Sequence, residues 1–244
     1  MKRFRAYSVI VLTYTFGGGS LLLFGAFLIL GSFGVIRFDM TEAHRLAWDA
    51  FLCIVFFIQH SGMVRPAFRS WSSSFLPRPY HPAVYSIASG MALSALILLW
   101  QESPIVLLQL QGAVRVLPWA CFLLSVGGFI SGVRALGTFD PFGLEPIALH
   151  LRNRQPSSPQ DLVVRGPYLW VRHPLYLFVA VLFWSVPELH LDRLLFNMLW
   201  TFWIVLGSCF EERDLVAEFG DSYRHYQKSV PMLLPWKGPG GRKM

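Results

Sequence analysis

Residues 7–36 read YSVIVLTYTFGGGSLLLFGAFLILGSFGVI, thirty positions without a charged side chain. At 1.5 Å per residue, about 20 such residues cross the ~30 Å hydrocarbon core of a bilayer. The run is apolar all round rather than striped, so lipid is its solvent. The same reading recurs over 45–63, 83–100, 117–136, 174–187 and 191–210, which gives six spans. The fifth is short and is expected to meet the sixth as a tight hairpin. With 54% hydrophobic and 14% charged residues among 244, a water-soluble α/β enzyme is excluded. The expected fold is all-α: a polytopic membrane helix bundle of about six spans with a cytoplasmic C-terminal helical tail.

Basic residues orient the spans, because cytoplasmic connections retain the excess of Lys and Arg. Seventeen fall on the side that holds both termini, and only Arg37, Arg45, Arg115 and Arg193 on the other. Both termini are therefore expected in the cytoplasm. The net charge of +7 is thus a topology signal, not a nucleic-acid one. The first apolar run is too long for a signal-peptide core and is expected to stay attached.

FGGGS at 16–20 resembles a phosphate loop in composition, but it follows no strand and lies in a span, where small residues serve close helix packing. Cys53, Cys121 and Cys209 sit within spans without C-x-x-C spacing; they are expected to be small buried filler, with no metal site and no disulfide framework. No repeat or long linker divides the chain, so a single domain is expected, residues 1–136 supplying N-terminal spans and 137–244 a C-terminal core. Within 137–173, RQPSSPQD reads as a loop. GLEPIALHLRN reads as a short interfacial helix turning Ile147, Leu149 and Leu151 to lipid.

Two polar stretches share the cytoplasmic side. VVRGPYLWVRHPLYLF at 163–178 places Arg165, Arg172 and His173 at the lip of the fifth span, with Pro174 at the first helical position. EERDLVAEFGDSYRHYQKSVP at 211–231 reads as a helix stopped at Gly220, a restart capped by Asp221, and a helix ended by Pro231, with Tyr223 and Tyr226 on one face. Glu211 and Glu212 stand at the membrane boundary, where carboxylates need partners, here Arg165, Arg172 and His173; a simple Arg172–Glu211 pair is the expected structural alternative for Arg172. Read blandly, these residues are a loop-anchoring ion-pair network with interfacial tyrosines.

Together, G-x-Y-x-x-x-R-H-P-x-Y, E-E-x-x-L and F-G-x-x-Y-x-x-Y-x-x-x-V-P resemble the C-terminal signature of integral-membrane methyltransferases, the superfamily of the isoprenylcysteine carboxyl methyltransferases. FIQHSGMVRPAFRSW (57–71), YSIASGMALSALILLWQESPI (85–105) and TFDPFGL (138–144) are further similar to the bacterial methanethiol S-methyltransferase group, related to NnrU. Ser229 stands where members often carry a basic residue, which weighs against a carboxylate acceptor.

The resemblance implies methyl transfer from S-adenosylmethionine to a small thiol, methanethiol giving dimethyl sulfide, in a bacterial inner membrane. An isoprenylcysteine or lipid acceptor is the alternative, and an NnrU-like haem-binding membrane protein with His60 as axial ligand an alternative of another class. It places the cofactor on Tyr168, Arg172, His173, Tyr176, Glu211, Glu212, Tyr223 and Tyr226. No G-x-G-x-x-G follows a strand to offer a different pocket. On the acceptor side, His60 near the end of the second span and Asp140 in TFDPFG are the candidate catalytic residues, each able to take a thiol proton. The alternatives for them are a packing histidine and a helix-end aspartate.

Overall fold

A computed structural model describes residues 2–137, 139–154 and 162–240. Most of the expected RQPSSPQD loop, residues 155–161, lies outside the described residues. In chain order the helices are α1 (Lys2–Leu12), continued through a π-helical turn (Thr13–Gly18) into α2 (Gly19–Leu30), then α3 (Glu42–Val64), α4 (Pro66–Ser72), α5 (His81–Leu99), α6 (Val116–Leu136), α7 (Glu145–Leu151), α8 (Pro174–Trp184), α9 (Leu191–Phe219) and α10 (Asp221–Ser229). Five segments are long and apolar enough to cross a membrane: Arg3–Leu30, Glu42–Val64, Arg78–Leu99, Gly112–Leu136 and Leu191–Phe219. The expected fifth span is the 11-residue α8, which at about 16 Å is shorter than the hydrocarbon core. The protein is an all-α polytopic membrane bundle.

The chain divides into two compact units, one holding the described residues of 2–104 and 140–154, the other those of 105–139 and 162–240. In the first, the glycines of the first span do serve packing. The π-helical turn lies against α5, and a Cβ at Gly90 would stand 2.2 Å from the Phe16 carbonyl oxygen, so glycine alone fits there. Thr13 and Ser20 hydroxyls donate back to Val9 and Gly17 carbonyls at 2.7 and 2.9 Å, the kind of local bonding that loosens an α-helical ladder. At the opposite end of α3, buried Asp49 accepts the Gln101 backbone N–H at 2.9 Å, and the Gln101 side chain ties down Phe38, Ile36 and Leu99.

Two expectations change. Ile147 is fully buried against Ala6 and Ala83, not turned to lipid, because residues two apart on a helix lie about 200° apart and cannot share one face. Cys53 is buried as expected, but in the second unit Cys121 and Cys209 are exposed: both lie on outward faces of apolar helices, which a lipid solvent permits.

In the second unit α6 packs on α8 and α8 on α9. The α8–α9 contact is an aromatic knot: the Phe183 ring stands 5.3 Å from Phe196 and 5.7 Å from Trp200, edge to face, a preferred aromatic geometry. The tight fifth-to-sixth connection contains a feature the sequence reading missed. Strand β1 (Val106–Gln109) pairs antiparallel with β2 (Glu188–His190), closing the ends of the unit with a two-stranded ribbon. Helix α9 has 29 residues, about 44 Å at the α-helical rise. That exceeds the hydrocarbon thickness by roughly nine residues, so its last turns, with Glu211 and Glu212, stand at or beyond the bilayer boundary.

Candidate functional site

The RHP segment and the C-terminal tail meet in the second unit. Gly166 begins a single 3-10 turn (Gly166–Leu169), and Pro174 occupies the first position of α8, where its missing N–H costs nothing. At the other strand of the site, α9 stops at Gly220, whose φ of +58° is open to glycine without strain. Helix α10 begins at Asp221, which makes no side-chain cap bond and instead pairs with Arg224 at 2.9 Å. Tyr223 and Tyr226 on the inner face of α10, with Val230 just beyond its end, are buried against Leu162, Val164, Leu215, Val216 and Phe219. After α10 the chain runs alongside the RHP segment: Arg172 and His173 donate their backbone N–H groups to the carbonyls of Pro231 and Met232 at 2.9 and 3.1 Å. The V-P element thus satisfies N–H groups at the start of α8 that no helical turn can serve.

Glu212 is the hub. Its Oε1 accepts from Arg172 Nε (2.8 Å), His173 Nε2 (2.9 Å) and Tyr223 Oη (2.7 Å), and its Oε2 from Arg172 Nη2 (2.8 Å) and Gln227 Nε2 (2.5 Å). Five donors occupy the lone pairs of one carboxylate. The same guanidinium turns Nη1 to the carbonyls of Gln227 (3.1 Å) and Val230, so Arg172 pairs with Glu212, not with the expected Glu211. Glu211 stands apart: its side chain is 43% exposed, and its Oε2 lies 3.7 Å from His173 Nδ1, within charge-contact range. That oxygen is buried and makes no hydrogen bond.

Tyr176, 37% exposed, stacks on the His173 ring at 5.6 Å and 16°. Tyr226 Oη donates to the Tyr168 carbonyl at 2.5 Å. Burial and the Glu211 carboxylate push the Tyr168 phenol up to about 12. Burial raises Tyr226 beyond the ordinary phenol range as well, and raises Tyr223 together with its bond to Glu212. These phenols are neutral donors at physiological pH. All eight residues of the two motifs lie in this one neighbourhood. Gln227 was missed, although its signal was present: at i+4 from Tyr223 it shares the buried face of α10.

The two acceptor-side residues belong to the first unit. His60 Nε2 is 2.8 Å from Tyr85 Oη, and its ring packs between those of Phe56 and Tyr85 at 5.2 and 5.1 Å. Asp140 Oδ2 accepts the Glu145 N–H at 2.7 Å, the helix-end role noted as its alternative. Among the described residues no group of three or more His, Cys, Asp or Glu is arranged to hold a metal ion.

The arrangement leaves a defined set of groups for a ligand. Glu212, Arg172, Gln227 and Tyr223 satisfy one another and build the site. Glu211 Oε2 and His173 Nδ1 remain as an anionic acceptor and a ring nitrogen, with the partly exposed Tyr176 ring beside them.

No protein-family model and no solved structure matches the chain. Among curated proteins it is 34% identical over 236 residues to a methanethiol S-methyltransferase of Mycobacterium tuberculosis, covering 92% of this chain and 96% of that one. A methanethiol S-methyltransferase of Pseudomonas deceptionensis is 35% identical, over 77% of this chain and 71% of its own. Nurim of Rattus norvegicus is 28% identical, over 72% and 70%.

Proposed function

The chain belongs to the methanethiol S-methyltransferase family, and on that premise we propose that it methylates methanethiol to dimethyl sulfide with S-adenosylmethionine as methyl donor. The observation that carries the donor site is the division of labour between adjacent glutamates: Glu212 saturated by five donors, Glu211 with a buried oxygen unpaired. A buried acceptor without a partner is costly and calls for a donor. S-adenosylmethionine carries suitable ones in its ammonium and ribose hydroxyls, and a flat adenine ring of the kind that a neighbouring aromatic such as the partly exposed Tyr176 favours. The residues fit the cofactor.

Glu211, His173 and Tyr176 are its contacts in this reading. Arg172, Glu212, Tyr223, Tyr226 and Tyr168 hold the His173 segment and the tail in register. When bound, the cofactor supplies an electrophilic methyl group on a sulfonium. His60 takes the thiol proton, generating the thiolate that is the nucleophile. The base role is assigned to His60, which stands among polar groups inside a span, rather than to Asp140, one of whose carboxylate oxygens accepts the Glu145 N–H at the start of α7. The excess of basic residues on the side of the termini supports a cytoplasmic location for both ends and hence for the donor site.

Calorimetry on the folded protein in nanodiscs should show S-adenosylmethionine binding, and headspace analysis should detect dimethyl sulfide when methanethiol is added. Folded protein that binds no donor at millimolar concentration is incompatible with this function.

A further inference from the structure

We propose that Gln59 and Tyr85 complete an acceptor-thiol site around His60: the Gln59 carboxamide oxygen takes the S–H hydrogen bond of a small neutral thiol, and Tyr85 positions the imidazole that receives its proton. The proposal rests on the thiol-methyltransferase reading above and deepens it.

Helix α3 presents Gln59 and His60 consecutively, and α5 presents Tyr85 and Ser89 four residues apart on one face, so the two pairs interleave between apolar helices. His60 Nε2 lies 2.8 Å from Tyr85 Oη, while Gln59 Nε2 donates to Ser89 Oγ at 3.3 Å and approaches Met63 Sδ at 3.0 Å. Four polar side chains inside membrane-crossing helices are unfavourable unless bonded to one another or used. One atom is not bonded: Gln59 Oε1 is buried and has no hydrogen-bond partner. The amide nitrogen is committed to Ser89 and Met63, which leaves the oxygen as the acceptor on offer.

The surroundings restrict what donor it accepts. The bonded neighbours of Gln59 and His60 include no carboxylate, so an ammonium would find no counter-charge. The nearby Phe56 ring and Met63 thioether suit an apolar, polarisable group, and sulfur packs favourably against both. A short thiol combines one weak S–H donor with such a body.

Tyr85 Oη is 2.8 Å from Nε2 and 3.1 Å from Nδ1 of His60. A single hydroxyl bonds one ring nitrogen and leaves the other for a proton. The step balances within the named groups. The thiol binds with its one S–H on Gln59 Oε1. For reaction that S–H turns about the C–S bond to the free imidazole nitrogen, the S–H bond breaks there, the proton stays on the imidazole, and the electron pair left on sulfur forms the new S–C bond. The donor's C–S pair returns to its own sulfur.

The test uses the full chain in nanodiscs with methanethiol and S-adenosylmethionine. Gln59→Met, close in size but without the acceptor, should raise the methanethiol KM about fivefold, the worth of one modest hydrogen bond, with kcat and donor affinity nearly unchanged. Inhibition by dimethyl sulfide, which has no S–H, should not move. Tyr85→Phe should leave KM in place, lower kcat about tenfold and change the pH dependence of kcat, a readout that a packing role would not alter. In the wild type, independently of how the variants fold, ethanol should compete with methanethiol better than dimethyl ether of similar size. An unchanged methanethiol KM in Gln59→Met, or equal competition by the two probes, overturns the site while leaving the function standing. A wild-type protein that binds donor but turns over no thiol overturns both.

Discussion

Glu211 and Glu212 are neighbours of identical chemistry, and the structure requires them to fail differently when replaced by alanine. Glu212→Ala removes five hydrogen bonds at once. It also strands Arg172, whose side chain is only 9% exposed, with two carbonyl acceptors left. Removing one partner of a buried ion pair costs about 3–5 kcal/mol, set against a whole-domain stability of about 5–15 kcal/mol. The freed His173, Tyr223 and Gln227 donors add to that, reduced by whatever water enters. Because Tyr223 and Gln227 lie on α10, the loss falls on tail docking. Glu211→Ala removes no hydrogen bond and one half-exposed contact of 3.7 Å, worth about 0–1 kcal/mol. Its effect should appear in S-adenosylmethionine affinity, by about 1–3 kcal/mol for a lost bond to a charged group. Thermal unfolding, limited trypsin digestion of the tail at Arg213 and Arg224, and calorimetry with the donor separate the two. Glu212→Ala should lower the midpoint, expose the tail and abolish binding; Glu211→Ala should only weaken binding. Equal destabilisation by the two variants, or a Glu212→Ala tail as resistant as wild type, would refute the assignment of hub and ligand contact.

Alkaline pH gives a second test through the raised phenols of Tyr168, Tyr223 and Tyr226. Groups raised above an unfolded value near 10 stabilise the fold fully below that pH and lose the contribution as pH climbs through their folded values, so the melting midpoint should stay flat from about pH 7 to 9.5 and fall above 10, less steeply in Tyr223→Phe. Reporter fusions at each terminus should both report cytoplasm, as the basic-residue asymmetry requires; an external C-terminus would separate the donor site from cytosolic cofactor.

Five of the six expected spans and the gathering of the two polar stretches were legible because each rests on a one-dimensional signal: run length against bilayer thickness, and residue types that must be paired at a membrane boundary. What escaped depends on phase and docking. Ile147 points inward because α7 is rotated to meet Ala6 and Ala83, a rotation that seven residues of mixed polarity do not encode. The β1–β2 ribbon pairs segments about 80 positions apart in chains that each look like span ends. Tyr85 and Ser89 carry no signal of their own in an apolar helix; their partners Gln59 and His60 come from α3, and only packing brings the four together.

The pair at 211–212 shows the limit most plainly. A carboxylate that builds a site and one that serves a ligand obey the same sequence rule, since both must find positive or donating partners at that depth. Successive residues on a helix differ by about 100° in direction, so only one of the two can face Arg172, Tyr223 and Gln227 together. Which one does is decided by where α10 docks after Gly220. Once Glu212 takes these donors, Glu211 Oε2 is left buried without a hydrogen bond, and in the proposed reading α9 therefore presents the ligand contact first and the scaffold carboxylate second.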